Sequence, residues 1–303
     1  MGSAVELREV RKTFGNVEAL RGLSLQVDRG EVVALLGPNG AGKTTVISLM
    51  LGLRRPTDGQ VSLLGRDPRD PMARTQVGAM LQESGVPGTL KVRELIDLFR
   101  SYYPSPLPTT EVIERAGLAE KADALTNSIS AGQRQRLYFA LAICGDPQML
   151  FLDEPTVGMD VATRRSFWEQ VRELAKQGRA LVLTTHYLEE ADALADRIAV
   201  IDHGRLLVEG SPTAIKAQVA VKRLRFDSAQ ELSAEIFGGL PVRDLAIDGC
   251  QVSLVSTEAE SVLEYLFTRK VKISNLEVVG AGLEEAFLSL TQSAPKGAAG
   301  VER

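Results

Sequence analysis

Nine consecutive residues, GPNGAGKTT at positions 37–45, have the types and spacing to hold a chain of phosphates. Gly37, Gly40 and Gly42 let the backbone curl around an anion, and Pro38, Asn39 and Ala41 complete the loop. Its N–H groups and the N-terminus of a following helix then supply positive potential. Lys43 can reach the β- and γ-phosphates, Thr44 can ligate magnesium, and Thr45 closes the motif. An ordinary turn with a helix cap is the competing reading. It loses ground because G-x-x-x-x-G-K-[ST] stands directly after an apolar run, 32–36, and directly before an amphipathic stretch, 44–53.

A second chemical group lies well downstream in MLFLDEP, residues 149–155. Asp153 at the end of an apolar run can hold magnesium through water, and Glu154 can polarise a water for in-line attack on a γ-phosphate. Taken alone, such a run followed by Asp-Glu is often a strand meeting a solvated turn. Following a phosphate loop, it becomes the second half of a nucleotide-hydrolysing site.

Further motifs occur in an order that resembles ABC ATPases over about residues 4–215. Gln82, after the strand-like residues 77–81, matches the family's glutamine loop, which senses magnesium and a partner membrane domain. SISAGQRQRL, residues 128–137, resembles the LSGGQ signature, with Ile129 for Leu and Ala131 for the first Gly. Ser130 and Gly132, which approach the γ-phosphate in the family, are retained, as is Gln133. TVGMD, residues 156–160, matches the loop after the catalytic glutamate, with Asp160 at its end, and His186 matches the switch histidine. Phe14 stands where the family places an adenine-stacking aromatic; a place in the core is the competing reading. The resemblance implies ATP and Mg2+ as cofactors, with Glu154, His186, Lys43 and Gln82 catalytic and Thr44, Gln82 and Asp153 serving the metal.

These residues need elements to carry them. Runs 32–36, 149–152, 180–183 and 198–201 are apolar throughout, as strands covered on both faces are. Segments 5–10, 23–27 and 60–64 alternate and are separated by turn signals at Gly15, Asn16 and Gly30, which suggests an antiparallel layer. The expected fold is therefore α/β: a P-loop ATPase core of mixed sheet flanked by helices, with a helical insertion at about 83–145. Ligands in such sheets gather at the carboxyl ends of strands, which would converge the phosphate loop, Gln82, Asp153 with Glu154, and His186. A linker at 216–222 leads to a small α+β domain at 223–292, and 293–303 reads as a flexible tail.

At 303 residues the chain can hold about two domains. Its 44% apolar and 24% charged residues are ordinary for globular proteins, which argues against disordered or fibrous character. A net charge of -4 argues against nucleic acid as a partner. Cys144 and Cys250 lack metal-ligand spacing and read as buried free thiols in a reducing compartment. No signal peptide is legible, and the longest apolar runs fall far short of the about 18 residues of a membrane helix. The expected location is cytoplasmic, peripheral on the membrane.

In the family, the signature serves the nucleotide of an opposing subunit. The resemblance thus implies a second ATPase subunit, as homodimer or close homologue, and separate multi-span permease subunits. GLEEAFLSLT, residues 282–291, resembles the closing segment of ATPases serving ABC-2 type exporters, although an amphipathic docking helix fits it equally. The alternative is a soluble ABC ATPase that assembles or remodels complexes.

Overall fold

The computed structural model describes residues 2–81, 85–217, 222–280 and 282–293. The chain divides into two units, Met1–Pro212 and Thr213–Arg303. The first unit begins with β1 (Ser3–Phe14), β2 (Val17–Asp28), β3 (Val32–Leu36), α1 (Lys43–Met50), β4 (Asp58–Leu63), α2 (Pro71–Arg74) and β5 (Val77–Met80). Helices α3 (Val92–Arg100), α4 (Thr109–Arg115) and α5 (Ala131–Ile143) follow. The unit closes with β6 (Met149–Asp153), α6 (Val161–Lys176), β7 (Ala180–Thr184), α7 (Leu188–Leu194), β8 (Arg197–Asp202) and β9 (Arg205–Gly210).

Strands β3, β6 and β7 are buried at every position, and they lie inside one six-stranded sheet of order β5-β6-β7-β3-β8-β9. Side chains on both faces of these strands are covered, and the polar ones, Asp153 and Thr184, come only at the carboxyl ends of β6 and β7. The sheet is parallel except where β9 returns antiparallel on β8. The alternating N-terminal segments form a separate antiparallel layer, β2-β1-β4. Its apolar face, with Val5, Leu7, Leu23 and Leu25, joins Val46, Ile47, Leu49 and Met50 of α1 in one core with the sheet. Mixed sheet, flanking helices and the α3–α5 stretch agree with the α/β expectation.

Two glycines permit close backbone approach. A Cβ on Gly37 would fall well inside van der Waals contact of the Ile201 carbonyl oxygen, so only glycine lets the phosphate loop leave β3 beside β8. A Cβ on Gly78 would do the same to the Ala142 carbonyl and lie 2.8 Å from Leu150 Cδ2, so α5 rests directly on β5.

Helix α8 (Pro212–Ala217) begins at the boundary between the units. The second unit contains β10 (Lys222–Ser228), β11 (Val242–Asp248), β12 (Gln251–Ser256), α9 (Ala259–Thr268), β13 (Ile273–Gly280) and α10 (Leu283–Ser293). Its four strands are antiparallel in the order β11-β12-β10-β13, and Val262 and Leu266 of α9 join Leu224, Phe226, Val252 and Leu254 in its core. Cys144 is buried as expected, but Cys250 is exposed. It follows Gly249 in the tight turn between β11 and β12, where the chain has left the core. The segment beyond residue 293 lies outside the described residues.

Candidate functional site

Parallel pairing puts the carboxyl ends of β3, β6 and β7 side by side. The register sets Leu35 against Thr184 and Thr184 against Asp153, so the loops that follow these strands start from one edge. The loop after β3 runs from the buried Gly37 through exposed Pro38, Asn39 and Gly40 to buried Ala41. Gly42 then caps α1 in the left-handed region, and no side chain caps the helix or places an acid in its first turn. The first N–H groups of α1 are therefore left for an anion. Lys43 Nζ donates to its own loop, 2.6 Å to Gly37 O and 3.1 Å to Pro38 O. Partial burial lowers the Lys43 pKa, opposed by the carboxylates of Glu154 and Asp153. Thr44 is exposed and Thr45, its neighbour in the first turn of α1, half-buried.

Asp153 is buried at the end of β6, where it accepts a hydrogen bond from the Thr184 hydroxyl of β7. Glu154 takes the next position with φ 53°, a conformation that costs a non-glycine residue energy. Two hydrogen bonds hold it there: its N–H donates to Thr184 O at 3.1 Å and approaches Thr184 Oγ1 at 3.2 Å. Thr184 thus orients the Asp153 carboxylate and the Glu154 backbone, a role that the sequence reading missed because strand pairing across α6 leaves no local signal. The Glu154 side chain meets His186, with Nε2 2.6 Å from Oε1. Lys43, Asp153, Glu154 and His186 are therefore brought together beside the phosphate loop.

A second group of motif residues gathers at the N-termini of α5 and α6. Ser130 caps α5, its hydroxyl accepting from Gln133 N–H at 3.2 Å while Gln133 Oε1 accepts from Ser130 N–H at 3.0 Å. A Cβ on Gly132 would lie 3.5 Å from the Gly158 carbonyl oxygen and one on Gly158 3.7 Å from the Ala131 methyl, so the signature turn and the following loop run near each other, with Ala131 exposed. Asp160 caps α6, accepting from Thr163 N–H at 2.9 Å and Thr163 Oγ1 at 2.8 Å, which holds its carboxyl below the usual range. Arg136 of α5 donates to Thr163 Oγ1 at 3.0 Å and joins the two helix ends. The hydrogen bonds described for Ser130, Gln133 and Asp160 stay at these two helix ends, apart from the phosphate loop.

Phe14 ends β1 with its ring exposed, so it is no part of the core. Lys12 Nζ lies 5.1 Å and the Arg54 guanidinium 4.9 Å from its centroid. Gln82 lies outside the described residues, just beyond β5.

Hard oxygen donors at Asp153 and Thr44 suit Mg2+, which keeps waters and takes phosphate oxygens as ligands. Among the described residues no group of three or more His, Cys, Asp or Glu could cage a metal by itself.

The doubly covered sheet, the phosphate loop ahead of an uncapped helix and the Asp153–Glu154–His186 cluster define a P-loop nucleotide hydrolase. The chain belongs to the ABC transporter family, whose model matches residues 20–157. It is an ATP-binding subunit and an ATPase. It is 38% identical over 270 residues to the Nod factor export ATP-binding protein I of Rhizobium sp. (strain N33), covering 86% of each chain. The protein of the same name from Burkholderia lata is 40% identical over 218 residues, covering 70% of this chain and 72% of the relative. Among solved structures, an ATP-binding subunit of an ABC transporter superposes with TM-score 0.66 at 26% identity, covering 71% of this chain and 93% of that one. A dimeric ATP-binding cassette in a post-hydrolysis state with ADP and Pi superposes with TM-score 0.63 at 25% identity, covering 68% and 98%. Among the described residues no helix is long and apolar enough to cross a membrane.

Proposed function

We propose that the chain drives an exporter: two ATPase subunits, either two copies of this chain or this chain with a homologue, close head to tail on two molecules of Mg-ATP and move separate membrane subunits. The observation that carries the hydrolytic half is the 2.6 Å contact between Glu154 and His186 beside the Lys43 loop. Lys43 releases Pro38 and Gly37 to bind the β- and γ-phosphates. Thr44 and Asp153 would hold a magnesium ion, with Gln82 as a further contact, and the ion would supply charge neutralisation at the phosphates. Glu154 takes a proton from the attacking water, and His186 turns its Nε2 proton to the γ-phosphate.

Ser130, Gly132 and Gln133, grouped at the exposed start of α5, suit a nucleotide held by the opposing subunit. Asp160 at the start of α6 suits the same seam. Phe14 offers an exposed ring face to adenine, with Lys12 and Arg54 close enough to attend the nucleotide's anionic end. The family's dimeric cassette relatives and the similarity to Nod factor export proteins over 86% of the chain support the dimeric exporter reading. The second unit serves as a regulatory or dimer-stabilising domain, and the chain works at the cytoplasmic face of the membrane.

Affinity purification of the tagged chain from native membranes tests the proposal. A co-purifying multi-span protein in stoichiometric yield is the expected result. Recovery of soluble partners alone would overturn the transport reading in favour of an ATPase that remodels assemblies.

A further inference from the structure

We infer that Glu190 is a positioning residue, tying the loop that carries Glu154 to the loop that carries His186. The inference rests on the reading of Glu154 and His186 as the hydrolytic pair. Glu190 lies on α7, one turn beyond His186, and is 0% exposed. A carboxylate so deeply buried needs compensating partners. Its Oε1 accepts from Trp168 Nε1 of α6 at 3.0 Å. Its Oε2 completes no hydrogen bond among the described residues, and neither does the buried hydroxyl of Thr156, two residues after Glu154.

Four groups surround this carboxyl from three directions. The hydroxyls of Thr185 and Thr156, the Trp168 N–H and the Arg164 guanidinium all favour its charged form, while burial raises its pKa and prevails. Thr156 comes from the loop after β6, Thr185 from the loop after β7, and Trp168 and Arg164 from α6. Thr185 is also the residue before His186, and its hydroxyl accepts from Tyr187 N–H at 2.9 Å. The Arg164 guanidinium stacks 4.1 Å from the Tyr187 ring centroid, while the Arg164 N–H donates to Asp160 O at 2.9 Å. Glu190 thus stands where the loop after β6, the loop after β7 and helix α6 meet. The buried Thr156 hydroxyl and Glu190 Oε2 are complementary as donor and acceptor, and each lacks another partner among the described residues. Glu154 sits directly upstream in a strained conformation and takes its place from the loop after β6.

Trp168 is the chain's single tryptophan, so its emission reports on this contact. The experiment compares the full-length chain with Glu190→Leu, Glu190→Gln, Thr156→Val and Trp168→Phe for ATPase kinetics, and all but the last for emission with and without a non-hydrolysable ATP analogue. Misplacing a reacting group by about 1 Å can cost about a hundredfold in rate. Glu190→Leu and Thr156→Val should therefore lower kcat by roughly tenfold or more while leaving KM for ATP within about twofold. Glu190→Gln keeps an acceptor for Trp168 and a donor for Thr156, so it should recover most of that loss. The wild-type emission should shift with the analogue, and the shift should vanish in Thr156→Val.

Unchanged kcat in both Thr156→Val and Trp168→Phe would overturn the inference even if Glu190→Leu failed to fold. So would a Glu190→Gln variant as slow as Glu190→Leu. A Glu154→Gln control separates the two levels. Normal turnover by that control sinks the underlying hydrolytic reading, whereas its loss beside normal Thr156→Val and Trp168→Phe turnover sinks the role of Glu190 alone.

Discussion

His186 Nε2 lies 2.6 Å from Glu154 Oε1, joining residues that follow two adjacent parallel strands. Such a hydrogen bond places the imidazole proton on Nε2 and aims the carboxylate toward the switch loop rather than inward to Asp153. The carboxylate is 13% exposed and the imidazole 48%, so His186 is the free arm of the pair. When a γ-phosphate enters, the histidine has both the exposure and the proton to change partner.

Glu154→Gln retains the shape of the pair and removes the base. Its turnover should fall by about a hundredfold or more, the range for a lost general base. ATP binding should persist, and single-turnover hydrolysis set against equilibrium nucleotide binding separates the two. His186→Ala should also slow turnover. The double variant should be little worse than Glu154→Gln, because residues in contact do not contribute independently.

Lys43 makes its hydrogen bonds only to its own loop's carbonyls among those described, so Lys43→Ala removes little that holds the fold. A charged hydrogen bond contributes about 1.5–3 kcal/mol. The ATP dissociation constant should therefore rise by about ten- to a hundredfold, measured by calorimetric titration, with thermal unfolding little changed. Gly37→Ala should behave in the opposite way. Its methyl would collide with the Ile201 carbonyl, and overpacking costs about 1–3 kcal/mol. At about 2–4 °C per kcal/mol, calorimetry should record a Tm lowered by several degrees.

The central sheet and most of the site could be read from the sequence because both depend on local signals. Runs such as 149–152 are apolar at every position only if both faces are covered, and the phosphate loop is a contiguous string. Long-range register was not legible. Nothing local says that Thr184 will sit beside Asp153 and donate to it, since β6 and β7 are separated by α6. Glu189 and Glu190 are identical neighbours in a polar stretch, yet one is exposed and the other fully buried; only the packing of α7 against Trp168 distinguishes them. In the second unit, β11 reads VRDLAID, whose charges hide an edge strand with half of its side chains in solvent.

The two thiols should differ in reactivity. Burial pushes the Cys144 thiol up to about 11, so below that pH it stays protonated and a poor nucleophile. Cys250 is exposed in its turn. A thiol-exchange reagent at pH 8 should label one cysteine per native chain at Cys250, and both once the chain is denatured. Rapid native labelling at Cys144 would contradict its burial at the C-terminal end of α5.

Removing residues 222–303 should weaken closure of the ATPase pair if the second unit steadies it. In the Glu154→Gln background, where ATP should trap the closed dimer, light scattering after gel filtration should show a smaller dimer fraction for the shortened chain. An equal dimer fraction, together with unchanged transport in a reconstituted complex, would remove both roles assigned to that unit.

Gly78 carries a mechanical consequence. With only a hydrogen between β5 and the Ala142 carbonyl, strand and helix have no cushion across which to slide. One end of this lever is the segment leading to Gln82. The other is the Ser130 turn, about 20 Å away along thirteen helical residues. A single methyl at position 78 would therefore have to push strand and helix apart, and the helix so displaced is the one that begins at the Ser130 turn.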